Sequence, residues 1–173
     1  GFDAPGPVVT FVPLPNLGQS ARRVEIDAIA RPGRANQTLA RVDLPVSPSW
    51  NWPAEWPFVQ ALRLGDAVFI GGQPAFDANR TIVNPGDMVS QTHLVMDRIV
   101  MILEALGATY DDVMKVGCWY NGGASVDVLK CNALIRSSYM SNPGATSTGV
   151  PVQTRYAPGL EIQVDIVAMA ACD

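Results

Sequence analysis

The feature that most constrains this 173-residue chain is an internal repeat. Pro5-Gly6-Pro7-Val8-Val9-Thr10-Phe11-Val12-Pro13-Leu14 lies over Pro143-Gly144-Ala145-Thr146-Ser147-Thr148-Gly149-Val150-Pro151-Val152 at an offset of 138 residues (Pro5 onto Pro143), and Pro, Gly, Thr, Val and Pro coincide without a gap. The same offset sets Val24–Ala30 over Ile162–Ala168, apolar position on apolar position. One register held over two segments means that a structural unit is used twice. Residues 1–31 are therefore expected to be the closing hairpin of a preceding copy, 32–56 a connector, and 57–173 a complete copy. The sequence opens Gly1-Phe2-Asp3, with neither an initiator Met nor the charged and apolar regions of a secretory leader, as expected of a chain trimmed or cut from something longer.

Composition excludes several function classes. Apolar residues are 48% of the chain, enough for a sizeable core, while charged residues are only 16% against roughly 25% in an average soluble protein. That deficit suggests a surface partly covered by other subunits. A net charge of −4 leaves no basic footprint for nucleic acid. No apolar run has the length of a membrane span. Cys118, Cys131 and Cys172 form no CxxC pair, which argues for reduced thiols and a cytoplasmic protein rather than a disulfide framework or a zinc site. With His93 the only histidine, a Ser-His-Asp triad or a multi-histidine metal site is disfavoured; neither metal nor organic cofactor is expected.

The complete copy reads β-β-α-β-α-β-β, an α+β layer with both helices on one sheet face. Strands are expected over Phe58–Arg63 and Ala67–Gly71, joined at Gly65-Asp66, with Gly71-Gly72 breaking the second or making a bulge. Asn84 as N-cap and Pro85 at the first helical position open a helix whose stripe is Met88, Thr92, Val95, Ile99, Ile102 and Leu106, stopped by Gly107. Val113–Tyr120 follows as a strand, then a helix capped by Ser125 and running to about Tyr139. On the last strand, Ile162, Val164, Ile166 and Ala168 share one face, while Glu161, Gln163 and Asp165 share the other. The connector holds Trp50, Trp52 and Trp56, which read as a strap over an apolar surface or as a pocket wall.

Together these segments resemble the Rid (reactive intermediate deaminase, YjgF-like) family. The resemblance is carried by Leu64-Gly65-Asp66, Gly71-Gly72-Gln73, Leu103-Glu104-Ala105-Leu106-Gly107, Asp112-Val113, Asn132 and the closing Gly159–Asp165 run, over about residues 57–170. Residues 5–31 look like the tail of another such domain, as in a tandem, aminomuconate-deaminase-like protein made by processing. The resemblance implies a chorismate-mutase-like fold with a six-stranded mixed sheet and two helices. It also implies trimers of Rid-like chains, with ligand sites in clefts between subunits, and hydrolysis of small reactive enamine or imine amino acids, of 2-aminomuconate type in aromatic degradation for some members. Carried over residue by residue, the family's site falls on Phe58, Gly71, Asn132 and Gln163, with Glu25 at the position of Gln163 in the earlier copy. The family's carboxylate-gripping Arg falls in Thr146-Ser147-Thr148, which holds none, and Thr offers no bidentate fork.

Enamine hydrolysis needs a held acid group, a proton donor and one oriented water. Asn132, Gln163 and Thr148 are the candidate catalytic residues. Phe58, Gly71, Gln73, Thr146 and Cys118 are candidate substrate contacts. Arg22 and Arg23, with Arg155 behind them, are candidate replacement cations. Cys118 reads as a nucleophile or, lacking an activating partner, as a buried structural thiol. Two alternatives stay open: an inactive ligand-binding or scaffold subunit, and a divergent hydrolase on the same fold.

Overall fold

The computed structural model describes residues 6–17, 21–30, 39–42, 58–153 and 157–171. Its elements are β1 (Leu39–Val42), β2 (Ala61–Leu64), β3 (Ala67–Pro74), α1 (Met88–Ala105), β4 (Val113–Asn121), α2 (Val126–Ser138), β5 (Thr146–Val152) and β6 (Ile162–Met169), with one 3-10 turn at Tyr110–Asp112. The strands form one six-stranded mixed sheet in the order β1-β2-β3-β6-β4-β5, with only the β4–β5 pair parallel. Hairpin geometry explains β2–β3: Gly65 takes a φ of 61° between Leu64 and Ala67, a left-handed conformation that costs glycine nothing. The final strand crosses back between β3 and β4, so its inward residues Ile162, Val164, Ile166 and Ala168 are all 2% exposed or less. The α1 stripe of Val95, Met96, Ile99, Ile102 and Leu103 covers that face. Each such side chain contributes about 1.5–3 kcal/mol of burial. The second helix joins the same layer, where Asn132 Nδ2 donates to Thr92 Oγ1 of α1 at 2.8 Å.

Several boundaries differ from the sequence reading. The sixth strand is Leu39–Val42, in the stretch expected to be connector; it pairs antiparallel with β2 at the sheet edge, and four residues carry too little pattern to announce it. The tryptophans of that stretch, and Arg155, lie outside the described residues. Asp87, not Asn84, caps α1. Asn84 and Gly86 both have positive φ, so Asn84-Pro85-Gly86 is a turn before the helix, and the Asp87 carboxylate accepts from Ser90 N (3.0 Å) and Ser90 Oγ (2.6 Å). Those two bonds to Ser90 hold the Asp87 carboxyl below its usual pKa of 3.8. Gly71-Gly72 does not end β3; the strand runs to Pro74 through a register shift between Ile70 and Gln73. The predicted Gly107 stop and Ser125 cap are as observed.

Among the described residues the amino-terminal segments form no hairpin within the chain. Residues 21–30 run without a strand partner, with Val24 and Ile26 exposed. Residues 6–17 lie instead against the end of β3 and β6 beside Val59.

Candidate functional site

The helices cover one sheet face; the other carries the polar side chains. Strand register fixes who shares that uncovered face. Gly117 of β4 stands opposite Asp165 of β6 and Thr148 of β5, Trp119 opposite Gln163 and Val150, and Lys115 opposite Val167 and Thr146. Three rows result, about 7 Å apart along the strands: Lys115 with Thr146, then Gly117 between Thr148 and Asp165, then Trp119 with Gln163.

The middle row is built around a missing side chain. A Cβ on Gly117 would stand 2.7 Å from Asp165 Cγ, so the carboxylate leans over the glycine in the direction of Thr148. Trp119 Nε1 donates to Asp165 Oδ2 at 2.7 Å, fixing one oxygen. Oδ1 has no hydrogen-bond partner among the described residues. Just before β6, the buried Glu161 carboxylate accepts from Asn121 Nδ2 at 2.6 Å. Glu161, Gln163 and Asp165 thus line one edge of the face, as their alternation predicted.

Residues 7–13 close the upper end. Val59 N donates to Pro7 O (3.2 Å), Gly72 N to Thr10 Oγ1 (3.0 Å), and Gln163 Nε2 to Phe11 O (3.0 Å). The Phe11 and Phe58 rings sit 5.6 Å apart. A Cβ on Gly71 would stand 2.7 Å from Val9 O, so this contact needs a glycine. Between the strap and the sheet lies a cleft lined by Phe11, Pro13, Trp119, Asn121, Glu161 and Gln163.

The candidate residues named from sequence therefore fall into three places. Phe58, Gly71 and Gln163 meet under the strap. Gln73 is fully buried, its Nε2 donating to Gly71 O at 2.7 Å, so it stiffens the bulge. Thr146 and Thr148 lie lower on the same face, with Thr146 Oγ1 donating to Met114 O at 2.7 Å. Asn132 and Cys118 lie on the opposite, helix-covered face. Asn132 is 2% exposed, and its Oδ1 accepts from Arg136 Nε at 3.0 Å and from Cys118 Sγ at 4.0 Å. Burial pushes the Cys118 thiol up to about 11, outweighing the nearby Arg136 charge, so it is a packed thiol. Arg22 and Arg23 are exposed in the 21–30 segment.

Sequence reasoning missed Lys115, Gly117, Trp119 and Arg136. For the first three the signal is long-range: only the β4–β5 and β4–β6 registers bring them to Thr146, Thr148 and Asp165. Arg136 was within reach, since it follows Asn132 by four residues and shares its helix face; its Nη1 donates to Ser147 Oγ at 3.0 Å.

Comparison with known proteins agrees with this fold. The family model described as Endoribonuclease L-PSP matches residues 51–172. A RutC family protein of Pyrococcus abyssi is 38% identical over 60 residues, which are 35% of this chain and 47% of that protein. A second, from Pyrococcus horikoshii, is 40% identical over 60 residues, 35% of this chain and 48% of that protein. The chain thus spans about half the length of the curated relatives it matches. Among solved structures, the conserved Rid family protein YyfA of Yersinia pestis superposes with a TM-score of 0.64 at 18% identity, covering 77% of this chain and 100% of that one. RidA from an Antarctic Psychrobacter gives 0.58 at 21% identity, over 67% and 90%. No helix among the described residues is long and apolar enough to cross a membrane.

Proposed function

The chain belongs to the YjgF/Rid/L-PSP family, and from that premise we propose that it hydrolyses a small enamine or imine amino acid to the oxo acid and ammonia on the uncovered sheet face. The observation that supports this reading best is the row Thr148–Gly117–Asp165, a carboxylate with one oxygen held and one open beside a hydroxyl and a gap.

The reaction consumes one water. Protonation of the enamine carbon gives an iminium; water adds to the iminium carbon; the carbinolamine loses its nitrogen as ammonia, leaving a C=O bond. Asp165 Oδ1 carries the proton in this scheme, since Oδ2 is occupied by Trp119 and holds the group in place. Thr148 and Gln163 hydrogen-bond the water. Lys115 supplies the cation. It stands opposite Thr146, where the family places its arginine, and on the same face as Asp165, whereas Arg22 and Arg23 belong to the exposed 21–30 segment, which has no strand partner. A lysine holds a carboxylate as a point charge rather than by a planar fork, which suits a substrate with a looser demand on orientation. Asn132 serves packing, joining α1, α2 and β4. The substrate class extends to an extended dicarboxylate of 2-aminomuconate type, whose second acid group would lie towards the strap.

The matching family model's description names an endoribonuclease. A chain of net charge −4 whose uncovered face is lined by Glu161 and Asp165 repels a phosphate backbone, which favours the deaminase reading over RNA cleavage.

The test is ammonia release from 2-aminoacrylate and 2-aminomuconate, each generated in situ, with a single-stranded RNA incubated in parallel. Wild type is expected to release ammonia faster than the spontaneous rate. Lys115→Met is expected to lose about 30- to 1,000-fold in kcat/KM, the worth of a charge-assisted hydrogen bond to an anion, and Asp165→Asn mainly in kcat. Ammonia release at the spontaneous rate only, or RNA cleavage abolished by the same variants, refutes the reading.

A further inference from the structure

Arg136 is a buried charge that the proposed reaction does not use. It is 9% exposed, yet among the described residues no carboxylate pairs with it. A guanidinium taken out of water is ordinarily matched by an anion. Two bonds hold it in place: Nε donates to Asn132 Oδ1 and Nη1 to Ser147 Oγ, both at 3.0 Å. Nη2 has no acceptor among the described residues. It is not sealed in either, since the enclosed side-chain atoms without partners belong to Gln60 and Gln73. The guanidinium therefore reaches the surface by its Nη2 corner, where α2 meets the outer edge of β5.

Two hydroxyls stand on the same side of the sheet. Ser147 and Gly149 lie opposite Val116 and Cys118, and Tyr120 lies opposite Pro151, so these residues face the helices. The Ser147 hydroxyl accepts from Arg136 and keeps its own proton to give. Tyr120 leans over Gly149: a Cβ there would stand 3.1 Å from Tyr120 Cε1 and 4.0 Å from its OH. The glycine makes room for the ring, and the Tyr120 OH has no partner among the described residues. We propose that Arg136, Ser147 and Tyr120 form a binding site for a small carboxylate monoanion at the α2–β5 edge. Ser147 and Gly149 are about 7 Å apart along the strand, the reach of a carboxylate that accepts a hydrogen bond at each oxygen. A planar guanidinium already fixed on one side suits the same group. Arg136 brings a single positive charge, and it sits in the last turn of α2, whose carbonyl end disfavours a phosphate dianion. The site is separate from the row that holds Asp165, because Lys115, Gly117 and Thr148 lie on the other face of β4 and β5. It stands whether or not that row releases ammonia.

The experiment is a titration of the full chain with sodium acetate, at an ionic strength held constant with sodium chloride, and with sodium phosphate in parallel. Proton–nitrogen NMR follows the Arg136 Nε–H and the Ser147 and Gly149 amides. Wild type, Tyr120→Phe, Ser147→Ala and Arg136→Gln are compared, with thermal melts to show that each is folded. Acetate is expected to give a saturable shift in wild type, with a Kd on the order of 1–10 mM. Tyr120→Phe keeps the ring over Gly149 and is expected to weaken acetate about fivefold, the worth of one hydrogen bond. Ser147→Ala is expected to weaken it by a similar factor, and Arg136→Gln to abolish saturation. The Tyr120→Phe comparison stands even if removing the buried guanidinium unfolds the chain. A shift that chloride alone reproduces overturns the proposal. So does a Tyr120→Phe or a Ser147→Ala that binds acetate like wild type, or phosphate that binds more tightly than acetate.

Discussion

Gly71→Ala isolates the strap from the rest of the fold. Gly71 has no positive φ, so alanine is compatible with its backbone, and the nearest atoms to the new methyl all belong to Val9: O at 2.7 Å, N at 3.1 Å and C at 3.3 Å. No core side chain is among them. Relief therefore comes from moving Val9, and with it the bonds from Val59 N, Gly72 N and Gln163 Nε2. At about 1 kcal/mol each the three sum to at most about 3 kcal/mol, or roughly a 100-fold rise in the strap's opening constant. Amide hydrogen exchange reads this directly. The Val59 and Gly72 amides donate to the strap, so they should exchange up to about 100-fold faster in the variant. Two neighbouring amides serve as internal controls: Gly71 N, bonded to Gln60 O at 2.9 Å, and Ala170 N, bonded to Asp66 O at 2.9 Å, should keep their wild-type rates. If Gly72 exchanges as slowly in Gly71→Ala as in wild type, the strap is not held by the contacts described and the argument built on them fails. If all four amides accelerate together, the methyl has disturbed the sheet and not the strap.

Three further outcomes follow from the same geometry. Gly117→Ala should drive the Asp165 carboxylate off Trp119 Nε1 at a cost of about 1–3 kcal/mol for overpacking, seen as a lower melting temperature and a shifted indole N–H resonance for Trp119; an unmoved resonance refutes the packing assignment. Peptide-level alkylation at pH 8 should modify exposed Cys131 quickly and Cys118, buried with its thiol pushed up to about 11, only after denaturation; rapid labelling of Cys118 in the folded protein would contradict its placement. Asp87→Ala should cost about 1 kcal/mol at neutral pH through loss of the α1 cap. Because folding lowers the Asp87 pKa, that contribution is present above 3.8 and fades as the pH falls through the folded value, so the stability curves of wild type and variant should converge in acid; a gap that persists at pH 2 would argue against an ionic cap.

How much was legible in the sequence follows from the range of the interactions involved. Period-two alternation is local, and it separated Ile162, Val164, Ile166 and Ala168 from Glu161, Gln163 and Asp165 before any partner strand was known. Helix punctuation is local too, and it located Gly107 and Ser125; it misplaced the α1 cap by three residues because Asn84-Pro85-Gly86 satisfies the same preferences as a turn. The site is another matter. Lys115 faces Thr146, and Gly117 faces both Thr148 and Asp165, only because β6 inserts between β3 and β4 and β5 runs parallel to β4. A shift of one residue in either register would exchange the faces and move the polar row onto the helices. Residue type pointed to arginines for the missing cation, since a fork suits a carboxylate, and so led to Arg22 and Arg23. Register sets Lys115 opposite Thr146, on the face that carries Asp165. The same register accounts for Asn132: its residue type suggested a role in chemistry, yet Cys118 below it and Thr92 beside it fix it on the far side of β4 from Asp165. The repeat bridges the two scales. It is read from sequence alone, but where its first segment lies is seen only in the structure, in which Val8–Pro13 rests on the Gly71–Gln163 groove and is held mainly by its backbone.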